Sequence, residues 1–363
     1  MGNKQALISS TLQNMNTEYL EAYIILLSMS FLIGIAAIFI YKSLALKIGV
    51  YAEPNSRSSH TEITPTGGGI IISLIFIWSA IYFLFYIEKV PQDVFTIYVG
   101  MAMGGLAITI VGFVDDIIDT NAGIKLLIQI MLSIWIIFIF LENIEPIIKF
   151  LNASLYWPFI FLSLFFLVWL INVFNFMDAI DGIALSGTIL IAVGAACLIL
   201  FNNEGSSINS LLFLLLAIIC LAFLIFNYPP ASIFMGDAGS LFLGYIFCCM
   251  IIKTIFDGDL TIWTWIVLLG HFLTETTLTT MLRIKLTKNW YKAHRAMAYQ
   301  NLARMYNSHK KVTNHSIIHY FIWLYPISCL TIIAEEYAIV LALISLLPSA
   351  YVTYKYGPLY SND

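Results

Sequence analysis

Charge is what this sequence lacks. Of its 363 residues, 10% are Asp, Glu, Lys or Arg and 60% are hydrophobic, a balance no soluble globular domain has. Cysteine is also sparse. The five (Cys197, Cys220, Cys248, Cys249, Cys329) all fall in apolar stretches without ligand-type spacing, which argues against a disulfide framework or a zinc site. No short internal repeat and no low-complexity segment interrupts the chain. The first twenty residues are polar, with Lys4 the only basic one, so no cleavable signal peptide is expected. Nucleic acid is not an expected partner.

What is present is hydrocarbon-length apolar sequence. Runs of about 18–22 residues, enough to cross a bilayer as helix, recur at 21–41, 68–87, 94–113, 122–141, 153–173, 183–201, 208–227, 239–256, 261–283, 316–334 and 336–354. They predict an all-α integral membrane protein, a single polytopic bundle over 1–363 with about eleven transmembrane helices. Alternating the loops gives two sets. All Lys and Arg except Lys4, Lys89, Lys149 and Lys253 lie in or beside 42–67, 114–121, 174–182, 228–238, 284–315 and the C-terminus. The positive-inside rule makes that set cytoplasmic. The N-terminus is then outside, the C-terminus inside, and 284–315 a long basic cytoplasmic loop.

Against so little charge, eight carboxylates stand out. Asp115, Asp116 and Asp119 lie in GFVDDIID, Asp178 and Asp181 in NVFNFMDAIDG, Asp237 in IFMGDAGS, Glu53 in a loop and Glu275 inside a run. Acids beside hydrocarbon are costly unless they serve a site. All but Glu275 fall at the face carrying the basic loops. On a helix Asp119 is one turn from Asp115 and Asp116, so like charges crowd there, and Lys125 follows closely enough to offset one. Asn172, Asn175, Asp178 and Asp181 recur every third position, the oxygen ligands that hard cations such as Mg2+ use. An N-cap and turn explains such a row equally well, Asp181-Gly182 above all. Glycines flank Asp237, and Phe234 before it is either core or a stacking surface. The run Thr64-Pro65-Thr66-Gly67-Gly68-Gly69 suits phosphate binding or close helix packing, with Arg57 upstream. His294 and Arg295 suit a pyrophosphate clamp or a membrane-surface charge cluster. The combination suits phosphoryl transfer between a lipid phosphate and a soluble anionic donor.

At these residues the chain resembles the polyprenyl-phosphate N-acetylhexosamine-1-phosphate transferases of glycosyltransferase family 4. The resemblance runs in order through PNSRSSH, TPTGGG, GFVDDIID, NVFNFMDAIDG, IFMGDAGSL and AHRAMAYQ. It implies transfer of a sugar 1-phosphate from a UDP-sugar to undecaprenyl phosphate in the bacterial inner membrane, releasing UMP, with Mg2+ as cofactor and Mn2+ as a substitute. It implies Asp115 and Asp116 as the catalytic pair and Asn175 and Asp237 as metal ligands. Lys125, Asn172, Asp178, Phe234, His294, Arg295, Arg57 and Thr66 are implied in substrate binding, with Asp119 and Asp181 in support. The last motif is closest to the O-antigen and capsule initiators, which read AHRSHAYQ, and lacks the histidine triplet of the peptidoglycan branch. Met297 stands where that subgroup has His, and Thr66 where it often has Arg. The alternative is a proton- or cation-coupled secondary transporter, for which Glu275 is the one residue at a fitting depth. The sugar, the pathway and the oligomeric state, a homodimer included, stay open.

Overall fold

The computed structural model describes residues 17–53, 63–118, 120–150, 153–202, 207–291 and 295–360. With no water to satisfy backbone groups, an apolar run closes its hydrogen bonds within itself and becomes helix. The chain accordingly forms α1 (Thr17–Ile48), α2 (Gly69–Tyr82, extended by a π-helical turn Phe83–Glu88), α3 (Gln92–Ile118), α4 (Ala122–Ile139), α5 (Leu141–Phe150), α6 (Ala153–Met177), α7 (Ile183–Asn202), α8 (Ile208–Asn227) and α9 (Gly236–Phe256). It continues with α10 (Ile262–Leu268), α11 (Gly270–Leu286), α12 (Ala298–Tyr306), α13 (His309–His319, running through a π turn Tyr320–Leu324 into α14, Tyr325–Ile333) and α15 (Ala338–Tyr356). The only strands among the described residues form a ribbon, β1 (Tyr51–Ala52) antiparallel to β2 (Thr64–Pro65). The chain is an all-α polytopic membrane protein.

Ten helices of the described residues are long and apolar enough to cross a membrane. The expected run 261–283 is instead two shorter helices, α10 and α11, meeting at Leu269 just before Gly270. Glycine is a poor helix former, and packing at this joint is close, with Leu324 and Leu346 beside Gly270. The basic stretch 284–315 is likewise mostly helical, holding the end of α11, all of α12 and the start of α13.

α9 is the axis of the bundle. It packs along α3, α6 and α2, and 78% of its apolar window is buried, against 17% for α4 at the edge. Small residues permit this. A Cβ on Gly69 would lie 2.2 Å from the Gly239 Cα, one on Gly112 would lie 2.3 Å from the Asp237 carbonyl oxygen, and one on Gly244 would lie 2.7 Å from the Ile171 Cα. Glycine at these crossings lets backbones touch, as in other membrane helix pairs. The start of α9 is thereby pressed between α2 and the end of α3.

Candidate active site

Three other helices bring polar groups to Asp237 on α9. α3 ends with Asp115 and Asp116. α4 begins at Asn121, whose side chain accepts the Gly123 N–H at 2.7 Å as an N-cap, and this sets Lys125 one turn in. The Lys125 ammonium lies 2.8 Å from Asp115 Oδ2 and 3.3 Å from Asp237 Oδ2. α6 ends near Asn175, which donates to Asp237 Oδ1 at 2.8 Å and to the Ser240 hydroxyl at 3.0 Å. Asp115 Oδ1 also accepts the Thr120 N–H and hydroxyl, at 2.8 and 2.5 Å.

Asp116 is placed differently from its neighbour. Met235, the N-cap of α9, makes no side-chain cap. Asp116 replaces it from another helix, Oδ1 accepting the Asp237 N–H at 2.9 Å and Oδ2 the Ala238 N–H at 3.1 Å. The positive end of the α9 dipole adds to that attraction. A Cβ on Gly236 would lie 2.5 Å from both Asp116 oxygens, and its φ of +71° is one glycine adopts freely.

Asp178 joins this cluster. Burial first, then the charges of Asp237, Asp116 and Asp181, hold its carboxyl well above the ordinary carboxylate range. Asn172 sits one turn below Asn175, its carboxamide donating to Gln129 Oε1 at 2.7 Å and to the Val168 carbonyl at 2.8 Å. Asp181 straps the motif to its surroundings. Its Oδ2 accepts the Ala231 N–H at 3.0 Å and lies 3.2 Å from His309 Nδ1, and its carbonyl accepts the Thr313 hydroxyl at 3.0 Å.

The glycine run packs against the Asp237 motif. Gly68 and Gly69 donate backbone N–H groups to the Phe234 and Met235 carbonyls at 3.1 and 2.8 Å, and Phe234 donates back to Pro65 at 2.8 Å. Of the two accounts of these glycines, close packing is therefore the one with observed contacts. Thr66 is half-buried here, its carbonyl accepting the Tyr41 hydroxyl at 2.9 Å. Phe234 lies half-buried beside Asp237.

The basic segment reaches the same end of the bundle. Tyr299 of α12 donates its hydroxyl to the Phe176 carbonyl at 2.5 Å, between Asn175 and Asp178. Since α9 leaves the site at Asp237 and α12 is back beside it, the kinked pair α10–α11 returns the chain across the bundle. Arg295 is half-buried just before α12. Met297 is 3% exposed and part of the core, so position 297 faces packing. Arg57, Asp119 and His294 lie outside the described residues, and Glu53 is exposed at their edge.

Sequence reading missed several participants. Gln129, Ser240, Asn227, Thr120 and Tyr299 carry no charge, so nothing marked them out from other polar residues. Asn227 is buried and bridges the Gly182 N–H and the Ile233 carbonyl, at 3.0 and 2.9 Å. Glu275, read as a candidate ion carrier, is 2% exposed and hydrogen-bonded to Ala298, Tyr299 and Thr353.

Residues 98–255, which include Asp115, Asp116, Lys125, Asn175, Asp178 and Asp237, match the glycosyl transferase family 4. A probable undecaprenyl-phosphate N-acetylglucosaminyl 1-phosphate transferase of Bacillus subtilis is 32% identical over 208 residues, 57% of this chain and 56% of that protein. The undecaprenyl-phosphate alpha-N-acetylglucosaminyl 1-phosphate transferase of Yersinia pestis is 31% identical over 247 residues, 64% of this chain and 61% of its own. The phospho-N-acetylmuramoyl-pentapeptide-transferase of Listeria monocytogenes is 32% identical over 214 residues, 55% of this chain and 64% of its own. The aligned region thus spans less than two thirds of each relative. Through the segment that builds its carboxylate site, the chain is similar to glycosyl transferase family 4 and to these sugar-phosphate transferases.

Proposed function

We propose that this protein transfers an N-acetylhexosamine 1-phosphate from a UDP-sugar to undecaprenyl phosphate, releasing UMP and starting a lipid-linked glycan such as O-antigen or capsule. The observation that carries the reading is the convergence on Asp237 of Asp116, Lys125 and Asn175 from three other helices. A charged cluster at one end of an apolar bundle suits a reaction between a lipid phosphate and a soluble anionic donor. The names of two relatives concern transfer to undecaprenyl phosphate.

Mg2+ is the cofactor this donor set fits. Asp237 and Asn175 stand side by side, the Asn175 NH2 group donating to Asp237 Oδ1, and turning that carboxamide over would present its oxygen beside the carboxylate. Among the described residues no three His, Cys, Asp or Glu side chains form a metal-ligand group. Mg2+ needs none, because one or two carboxylates suffice when water and substrate phosphates complete its shell. Bound there, Mg2+, with Mn2+ as the substitute, would neutralise phosphate charge during transfer.

The remaining roles belong to side chains. Asp115 and Asp116 form the catalytic pair beside the lipid phosphate. Lys125, already between two carboxylates, has the charge and reach to contact a phosphate as well. Phe234 offers a face to uracil, and Arg295 with His294 takes the donor pyrophosphate. Arg57, Thr66, Asn172 and Asp178 complete the binding surface. The bias of Lys and Arg toward the loops at this end supports a cytoplasmic active site in the bacterial inner membrane.

The test is UMP release by purified protein given undecaprenyl phosphate, Mg2+ and a panel of UDP-N-acetylhexosamines. Release with at least one sugar is expected, and the panel identifies which. No release with any of them overturns the proposal.

A further inference from the structure

α12 carries the backbone that follows Arg295, yet its N-cap, Met297, makes no side-chain hydrogen bond. The free amides of that first turn are met from another helix. Glu275 of α11 accepts the Ala298 N–H at 2.5 Å and the Tyr299 N–H at 3.3 Å through Oε1. Its Oε2 accepts the Thr353 hydroxyl of α15 at 2.7 Å. One carboxylate therefore joins three helices. A buried acid is costly unless hydrogen-bonded, and here two amides, a hydroxyl and the positive end of the α12 dipole compensate it.

The held turn is the one that faces the site. Tyr299, whose N–H Glu275 accepts, ties its hydroxyl to Phe176, next in sequence to Asn175. From the other side, the Arg304 guanidinium donates to the Arg295 carbonyl at 3.0 Å and also to Asn301 Oδ1. Asn301 in turn donates to the Tyr356 and Gly357 carbonyls at 2.6 and 3.2 Å. The backbone of Arg295 is thus fixed relative to α6, and Glu275 is the buried anchor of the arrangement. An ion-carrying acid would need to exchange its partners. Three fixed donors describe a joint instead.

We propose that Glu275 is a positioning residue for the nucleotide-sugar end of the site, setting where Arg295 stands relative to Asn175 and Asp237 while touching neither substrate. The proposal rests on the transferase reading and on the basic segment receiving the UDP-sugar. Glu275→Gln keeps a carbonyl oxygen for the two amides, and the Thr353 hydroxyl can turn to accept from its NH2 group. Glu275→Leu keeps similar bulk and offers no acceptor. Thr353→Val removes only the donor that orients the carboxylate.

The experiment combines hydrogen–deuterium exchange over 295–306 in the solubilised full chain with KM for UDP-N-acetylglucosamine (or the sugar the panel selects) and for undecaprenyl phosphate. In Glu275→Leu, exchange at 298–301 and the UDP-sugar KM each rise about tenfold, equivalent to about 1.4 kcal/mol, while the lipid KM stays within about twofold. Glu275→Gln restores both. Thr353→Val moves both the same way by less, which keeps the test open if the leucine variant does not fold. Unchanged exchange overturns the cap. Raised exchange with an unchanged UDP-sugar KM, equal rises in both KM values, or failure of Glu275→Gln to restore them overturns the positioning role. No UMP release by wild-type protein overturns the transferase reading and the positioning role with it, and the exchange data then show separately whether the cap stands.

Discussion

Asp116 holds the backbone of Asp237. Its two oxygens are taken by the Asp237 and Ala238 amides at 2.9 and 3.1 Å, so the carboxylate of α3 caps the helix that presents the other carboxylate. Position and charge at the site are therefore coupled: a change at residue 116 moves Asp237 as well as altering the field around it.

Asp116→Asn keeps one acceptor and loses the negative charge, so UMP release is expected to fall by roughly a hundredfold or more. Asp116→Ala removes the cap altogether and is expected to lower stability as well, by about 1–2 kcal/mol. UMP assay and thermal unfolding in detergent separate the two losses. Full activity in Asp116→Asn would show that the charge at 116 is dispensable.

Lys125 neutralises part of Asp115 and Asp237. Lys125→Met leaves that negative charge for a divalent cation alone to offset, so the Mg2+ concentration for half-maximal activity should fall even as the maximal rate drops. Asp237→Asn should shift the same titration the other way. Both curves are read from UMP release against Mg2+ concentration, and coincident midpoints would remove Asp237 from the metal site.

Gly69 and Gly112 meet α9 backbone at 2.2 and 2.3 Å from where a Cβ would sit. Gly69→Ala and Gly112→Ala must push the start of α9 away, an overpacking cost of about 1–3 kcal/mol each. Both are expected to lower the unfolding temperature and the rate together, since Asp237 moves with its helix. Gly49→Ala, with nothing near its Cβ, bears only the strain of its left-handed backbone and should spare the rate.

Asp178 gives a pH signature. Burial, reinforced by Asp237, Asp116 and Asp181, raises its folded-state pKa well above the ordinary value. The unfolded chain ionises at lower pH than the folded one, so the contribution of this group is complete below the ordinary carboxylate pKa and is lost as pH rises through the raised one. With Mg2+ chelated, wild-type protein should lose unfolding temperature toward alkaline pH more steeply than Asp178→Asn, which mimics the protonated acid. Parallel pH profiles would contradict the shift.

Much of the site was legible because its members are charged and lie where hydrocarbon makes charge expensive. Asp115, Asp116, Lys125 and Asp237 stood out on that ground, and the structure brings them within one network. Gln129, Ser240 and Tyr299 did not, because a neutral hydroxyl or amide has no distinguishing cost until its partner is known. The run 261–283 was read as one helix because apolar content fixes length but says little about a local break at Leu269. Thr66-Gly67-Gly68-Gly69 shows the same limit: phosphate cradle and packing surface call for the same residue, and only the contacts with Phe234, Met235 and Gly239 favour packing.

By itself the sequence determined the helical membrane bundle and the carboxylate motifs, because burying backbone and charge in hydrocarbon leaves few alternatives. Only the tertiary structure decided how those acids are used. Asp116 and Glu275 turn out to cap helices that belong to other parts of the chain, Asp181 to strap a turn, and Asp237 to stand where four helices meet. A carboxylate is defined by the donors around it, and those donors come from residues as many as 122 positions away, which no local pattern can reveal.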